Sequence, residues 1–183
     1  MRRISKEVGL FQIVFAGKAH PRDQPEEEGI KRIFEARDAL TPNVRVAFLE
    51  NYDMEMGRLL TGGVDVWVNT PRPPMEASGT SGMKAALDGV PSLSVLDGWW
   101  IEGCIEDVTG WAIGSGFAES GDDHDDEKDA NSLYDKLERR IIPVYYIDRE
   151  KFLDIMRHAI ALNGSFFKTQ RMMQQYVLKA YFE

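Results

Sequence analysis

The chain has 183 residues, 43% of them hydrophobic and 28% charged, with a formal net charge of -8. That length supports one full hydrophobic core rather than two, no apolar run reaches the roughly 18 residues that a membrane span needs, and no basic stripe with interleaved aromatics invites nucleic acid. Cys104 has no intrachain partner and the basic opening MRRISKEVGL is followed by no apolar segment, so the sequence predicts a reducing, cytoplasmic setting rather than export.

The elements alternate along the first part of the chain. FQIVFAG (11–17) reads as a strand, and PEEEGIKRIFEARDAL follows as a helix that opens on Pro25 and three glutamates, with Ile30, Ile33, Phe34 and Leu40 at helical spacing. VRVAFLEN (44–51) is a second strand, DMEMGRLLTGG (53–63) a short helix stopped by paired glycines, and VDVWVNT (64–70) a third strand. SGMKAALDG supplies a further helix beginning near Gly82, PSLSVLDG a strand, and GWAIG a last extended piece. Successive βαβ units of this kind predict an α/β, doubly wound, Rossmann-like parallel sheet of four or five buried strands, which places ligands at the carboxyl ends of its strands.

The pattern changes near residue 118. AESGDDHDDEKDAN, with aspartates on both sides of His124, lacks the glycine and terminal glutamate of an EF-hand loop, and reads as a solvated acidic loop over 118–130 rather than a metal site. The remainder, 131–183, reads as a helical segment of the same domain as the 1–117 core. Asp148 is a predicted N-cap for a helix with Phe152, Ile155, Met156, Ala159 and Leu162 on one face, and Ser165 a predicted cap for a final amphipathic helix. His158 and His20 are expected to be packed, surface or turn residues rather than ligands.

The stretch MEASGTSGMKAALDG (75–89) carries the most chemistry. A turn at the carboxyl end of a strand, running into a helix, offers free N–H groups, the positive end of a helix dipole and the hydroxyls of Ser78, Thr80 and Ser81, which together suit an anion such as phosphate. Glycines 79 and 82 would let phosphate oxygens approach the backbone. Neither a Walker A loop nor a dinucleotide fingerprint is matched. Lys84, within the first turns of the helix, can be a phosphate counter-ion, a surface residue or a Schiff-base amine, and Glu76 a helix-capping acid or an acceptor for sugar hydroxyls.

EASGTSGMK, with FAGKAHP and FLENYDMEMG before it and LDGWWIEG after it, resembles the carboxyl-terminal domain of the α-glucan (glycogen, starch or maltodextrin) phosphorylases, in particular their shorter bacterial and archaeal forms, over nearly the whole chain. The resemblance implies the second domain of a GT-B glycosyltransferase fold. It implies pyridoxal 5′-phosphate as cofactor, held as a Schiff base on Lys84, with Gly79, Thr80 and Ser81 contacting the cofactor and its phosphate and Tyr52, Met54 and Gly57 lining the pyridoxal ring. Glu76, Ser78 and Gly79 would hold the glucosyl unit, Glu76 through the catalytic step. The implied reaction uses orthophosphate to release glucose 1-phosphate from the ends of an α-1,4-glucan.

Two positions depart from the family pattern: Asp88 stands where asparagine is usual, and Asp53 where the longer enzymes carry arginine. No Lys/Arg cluster for the substrate phosphate precedes Phe11, so the chain is expected to be a fragment that lacks an amino-terminal domain and is inactive alone. Homo-oligomerisation in the family resides mostly outside this segment. A nucleotide-sugar glucan synthase would carry a second glutamate, for the ribose, where Lys84 stands, and a lysine cannot accept ribose hydroxyl protons. A non-catalytic carbohydrate-binding module is the other alternative, against which the joint presence of Lys84, Thr80 and Glu76 argues.

Overall fold

In the computed structural model the structure describes residues 1–20, 22–114 and 126–182. A short helix α1 (Arg2–Glu7) precedes β1 (Gln12–Ala16), α2 (Gln24–Leu40), β2 (Arg45–Leu49), α3 (Met54–Gly63), β3 (Trp67–Asn69) and α4 (Thr80–Leu87). Then follow β4 (Ser92–Val95), α5 (Trp100–Gly103) and β5 (Gly110–Ile113). The five strands and the helices α2, α3 and α4 follow in the order the sequence predicts, α1 and α5 are additions to it, and the strands pair in parallel throughout. Local chemistry sets the helix starts: Asp23 accepts from the Glu26 N–H ahead of α2, and Asp53 from the Met56 N–H at 2.8 Å ahead of α3.

Two features differ from the predicted single buried sheet. Among the described residues the hydrogen bonding divides the strands into a pair, β1–β2, and a triplet ordered β3–β4–β5. Only β4 is buried at every residue, whereas β1, β2 and α2 contain no fully buried side chain. The apolar stripe of α2 is half-buried, with Phe34 against Phe48 of β2 at 5.5 Å between ring centroids. The core therefore sits under the triplet rather than under the pair.

After the acidic run, of which residues 115–125 with His124 lie outside the described part, α6 (Asp126–Lys136) widens into a π-helical turn (Leu137–Ile141) and continues as α7 (Ile142–Ile147). Next come α8 (Arg149–His158), a second π-helical stretch (Ala159–Gly164), α9 (Thr169–Tyr176) and a π-helical end (Val177–Tyr181). Asp148 caps α8, accepting from the Lys151 N–H at 3.2 Å. Leu93, Val95, Trp111 and Ile113 of the triplet form one cluster with Ile141, Phe152 and Ile155, so these helices share the core of the sheet they cover. Full burial of such side chains contributes about 1.5–3 kcal/mol each.

The helical segment corrects two sequence expectations. Phe152, Ile155 and Ala159 are buried and Met156 half-buried, but Leu162 is 41% exposed and Asn163 takes the buried side instead. The π-helical stretch adds residues per turn, which rotates everything after Ala159 out of the α-helical register. Ser165 does not cap the last helix. Its hydroxyl donates back to the Ala161 and Leu162 carbonyls, and α9 begins at Thr169 with no side-chain cap and with Met172, Met173 and Tyr176 exposed.

No helix among the described residues is long and apolar enough to cross a membrane. His158 is exposed, and His20 lies in the turn before α2, where its Nδ1 accepts from the Arg22 N–H and its carbonyl from the Asp23 N–H. Cys104 is half-buried beside the Trp99–Trp100 cluster, and that burial pushes its thiol up to about 12.

Candidate functional site

Parallel pairing of β3 with β4, in register from Trp67–Ser92 to Asn69–Ser94, brings two loops together at the carboxyl ends of the strands. The loop after β3 carries Glu76 to Gly79 and runs into α4. The loop after β4 carries Asp97, Gly98 and Trp99. They are stitched by two hydrogen bonds, from the Glu76 N–H to Asp97 Oδ2 at 2.9 Å and from the Trp99 N–H to the Ser78 carbonyl at 2.8 Å, while the Gly98 N–H, within the second loop, donates to Asp97 Oδ1 at 2.9 Å. The Glu76 carboxylate faces back to the end of β3, where Asn69 Nδ2 donates to its Oε2 at 3.4 Å.

The helix starts two residues earlier than the sequence suggests. Gly79 is its N-cap, in the left-handed region at φ +87°, and its carbonyl accepts from the N–H groups of Gly82 at 3.1 Å and Met83 at 3.4 Å. The N–H groups of Thr80 and Ser81 remain in the first turn, where a helix offers no internal acceptor. Thr80 and Lys84 are four residues apart and Ser81 and Lys84 three, so the three side chains share one stripe of α4. Thr80 and Lys84 are exposed and Ser81 is half-buried. The Lys84 ammonium makes no hydrogen bond or ion pair with the described residues. The Ser78 hydroxyl is exposed and reaches Met83 Sδ at 3.7 Å.

Gly82 has a packing role as well. A Cβ there would lie 2.9 Å from Trp99 Nε1, and one on Gly79 would lie 2.9 Å from Trp99 Cδ1. The indole, buried and packed edge-on against Phe167 at 5.1 Å between ring centroids, occupies the space that these glycines leave. The backbone of α4 is thus brought down onto Trp99, which fixes the height of the turn over the sheet.

Tyr52, Met54 and Gly57 stand at the carboxyl end of β2 and the start of α3, which packs alongside α4. The Tyr52 hydroxyl is 2.6 Å from where a Cβ on Gly57 would sit, so the tip of the tyrosine takes the space that the glycine leaves. Met54 is 92% exposed and makes no part of that packing. Both departures from the family pattern have local roles: Asp53 caps α3, and the Asp88 carboxylate at the end of α4 sits 3.4 Å from a Cβ position on Gly62 of α3. Asn69, Asp97 and Trp99 belong to the site and escape the reading of the motif alone. Their signal is position, at or just after the carboxyl ends of strands.

The donors suit a phosphate-bearing aldehyde cofactor: two helix N–H groups without a partner among the described residues and the Thr80 and Ser81 hydroxyls for the phosphate, a primary amine likewise unpaired among them on the same stripe, and an aromatic side chain nearby. No cluster of three or more His, Cys, Asp or Glu side chains able to hold a metal occurs among the described residues.

A parallel α/β fold with ligand-facing loops at the carboxyl ends of its strands and covering carboxyl-terminal helices is that of the GT-B glycosyltransferases. The solved structure of Anabaena Alr3699/HepE, in complex with UDP-glucose, matches over 92% of this chain and 40% of its own, at TM-score 0.61 and 20% identity. The chain belongs to the carbohydrate phosphorylase family, whose description matches residues 4–139. It is 45% identical over 169 residues to the maltodextrin phosphorylase of Thermococcus litoralis, covering 92% of this chain and 20% of that protein. It is 43% identical over 175 residues to the glycogen phosphorylase of Aquifex aeolicus, covering 93% and 25%, and 38% identical over 172 residues to that of Mycobacterium tuberculosis, covering 91% and 20%. The chain therefore spans a fifth to a quarter of the length of these relatives.

Proposed function

We propose that this chain supplies the cofactor- and glucosyl-binding part of an α-1,4-glucan phosphorylase, with residues 1–117 as its Rossmann-like core and 131–183 as helices of the same domain. The observation that carries the reading is the α4 stripe: an exposed Lys84, without a partner among the described residues, beside Thr80 and Ser81, with a carboxylate, Glu76, anchored at the end of β3 in the loop before them.

In this reading Lys84 is the covalent attachment point for pyridoxal 5′-phosphate, and the Gly79, Thr80 and Ser81 turn holds the cofactor phosphate through its free N–H groups, hydroxyls and helix dipole. Tyr52 and Gly57, in contact with one another, flank the pyridoxal ring, with the exposed Met54 free to close over it. The cofactor, when bound, supplies a fixed phosphate group that exchanges charge and a proton with substrate orthophosphate. Glu76, Ser78 and Gly79 orient the terminal glucose by hydrogen bonds to its hydroxyls, so that phosphate meets the anomeric carbon in one geometry. Preorganised N–H donors and a held carboxylate need no rearrangement as charge develops, which is where such sites gain most of their rate.

The groups that receive the substrate phosphate are assigned to parts of the enzyme beyond these 183 residues, as is the rest of the glucan site. Spectrophotometric titration of the native chain and of Lys84→Ala with pyridoxal phosphate tests the first half of the reading: saturable uptake in the native chain alone supports it. Release of glucose 1-phosphate from a maltooligosaccharide by the isolated chain would overturn the second half.

A further inference from the structure

Asp97 is a carboxylate with only 4% of its surface exposed, and both of its oxygens are used. One accepts the Glu76 N–H and the other the Gly98 N–H, each at 2.9 Å. Its own N–H donates to the Val95 carbonyl at 2.9 Å, which ties it to the last residue of β4. Gly98 then takes φ +53°, and a Cβ there would lie 2.6 Å from the Ser78 carbonyl oxygen and 2.9 Å from Glu76 Cγ. Only glycine allows the two loops to touch this closely. Trp99 completes the contact, donating its N–H to the Ser78 carbonyl.

We propose that Asp97 is the positioning residue of the site: it sets the backbone of Glu76, and with it the reach of the Glu76 carboxylate toward the glucosyl unit, without touching the sugar itself. This rests on the glucosyl role given to Glu76 above. A side chain on a loop can place a carboxylate only as well as the backbone beneath it is held, and here that backbone is held from a buried, charged acceptor in the loop that follows the neighbouring strand. The other contacts of Glu76 are weaker anchors, since the Asn69 hydrogen bond is long, at 3.4 Å. An asparagine at position 97 conserves the volume but keeps a single, uncharged acceptor and sets an N–H donor against a backbone N–H, so the Glu76 bond across the loops is either lost or kept only in a weaker, uncharged form at the cost of the local Gly98 bond.

The test combines binding and exchange on the longest native chain that contains these residues, and on its Asp97→Asn, Glu76→Gln and double variants. Affinity for α-glucose 1-phosphate is expected to fall about ten- to hundredfold in Asp97→Asn, while uptake of pyridoxal phosphate is unchanged. The double variant is expected to bind no more weakly than Glu76→Gln alone, because both changes remove one function. A merely structural role for Asp97 would lower cofactor uptake as well and add to the Glu76→Gln loss, and that result overturns the proposal. If the native chain binds α-glucose 1-phosphate and Asp97→Asn binds it equally, the positioning role fails by itself. If the native chain and Glu76→Gln bind it equally, or neither binds it, the glucosyl reading of Glu76 fails, and the positioning role with it. Should Asp97→Asn not fold, amide hydrogen exchange of the native chain decides: the Glu76 N–H is expected to be protected, and an unprotected Glu76 N–H overturns the proposal.

Discussion

Replacing Gly79 with alanine tests how the turn is held. Two costs add. The left-handed backbone at φ +87° disfavours any residue with a Cβ by about 1–2 kcal/mol. The new methyl would also sit 2.9 Å from Trp99 Cδ1, and the indole has no room to retreat, because Cβ positions on Gly82 and Gly103 approach it within 2.9 and 2.7 Å. Overpacking of that kind costs about 1–3 kcal/mol, so Gly79→Ala is expected to lose about 2–5 kcal/mol in all. Thermal unfolding followed by circular dichroism should show a fall of about 4–20 °C in Tm for a chain of this length. In a Trp99→Leu background the packing part disappears and the cost of Gly79→Ala should drop to the backbone part, about 1–2 kcal/mol. A Gly79→Ala variant within about 0.5 kcal/mol of the native chain, the range of ordinary surface changes, would refute the reasoning.

Other perturbations follow from the same structure. Asp53→Ala removes the α3 cap and should cost about 1 kcal/mol in urea unfolding, whereas Asp53→Asn, which keeps the acceptor, should cost much less. Lys84→Ala should leave stability within about 0.5 kcal/mol, since the side chain is exposed and unpaired. The Arg3 guanidinium holds the Glu138 carboxyl below its ordinary range through a two-pronged hydrogen bond. The folded chain therefore binds that proton less readily than the unfolded one, so the contribution is present above the unfolded carboxylate range and is lost as pH falls through the depressed folded value. Glu138→Gln should flatten the acid limb of the stability profile, and added salt should do the same. Cys104, its thiol pushed up to about 12 by burial, should resist iodoacetamide at pH 8 until denaturant is added, which mass spectrometry would follow.

Much of the fold is written locally. Pro25, the glutamates after it and the carboxylates of Asp53 and Asp148 mark helix starts by satisfying or complementing free N–H groups, and the structure uses Asp53 and Asp148 as caps. The order of the five strands and of α2, α3 and α4 follows from periodicity, composition and Gly/Pro signals, whereas the short helices α1 and α5 do not. What periodicity could not show is the π-helical widening at Ala159–Gly164, which lies where Ile160 and Gly164 meet Gly89 and Leu87 at the end of α4. That shift exposes Leu162 and leaves Ser165 facing its own helix.

The candidate site was legible where chemistry is local and illegible where it depends on the neighbouring strand. Glu76, Ser78, Gly79, Thr80, Ser81 and Lys84 are consecutive enough to be read as one turn and one helix stripe. Asp97 meets Glu76 across a sequence separation of 21, and Trp99 explains Gly82, so neither follows from the turn itself. Parallel pairing of β3 with β4 makes those contacts.

The central claim is that Lys84 is the attachment point for pyridoxal phosphate. The most direct measurement is borohydride reduction of the native chain after incubation with pyridoxal phosphate, followed by peptide mass mapping across Met83 and Lys84. Reduction turns a lysine–pyridoxal link into a stable secondary amine. The account predicts a single pyridoxyl-phosphate adduct on Lys84, abolished in Lys84→Ala. An unmodified Lys84, or label scattered over the exposed lysines without preference for it, would contradict the account.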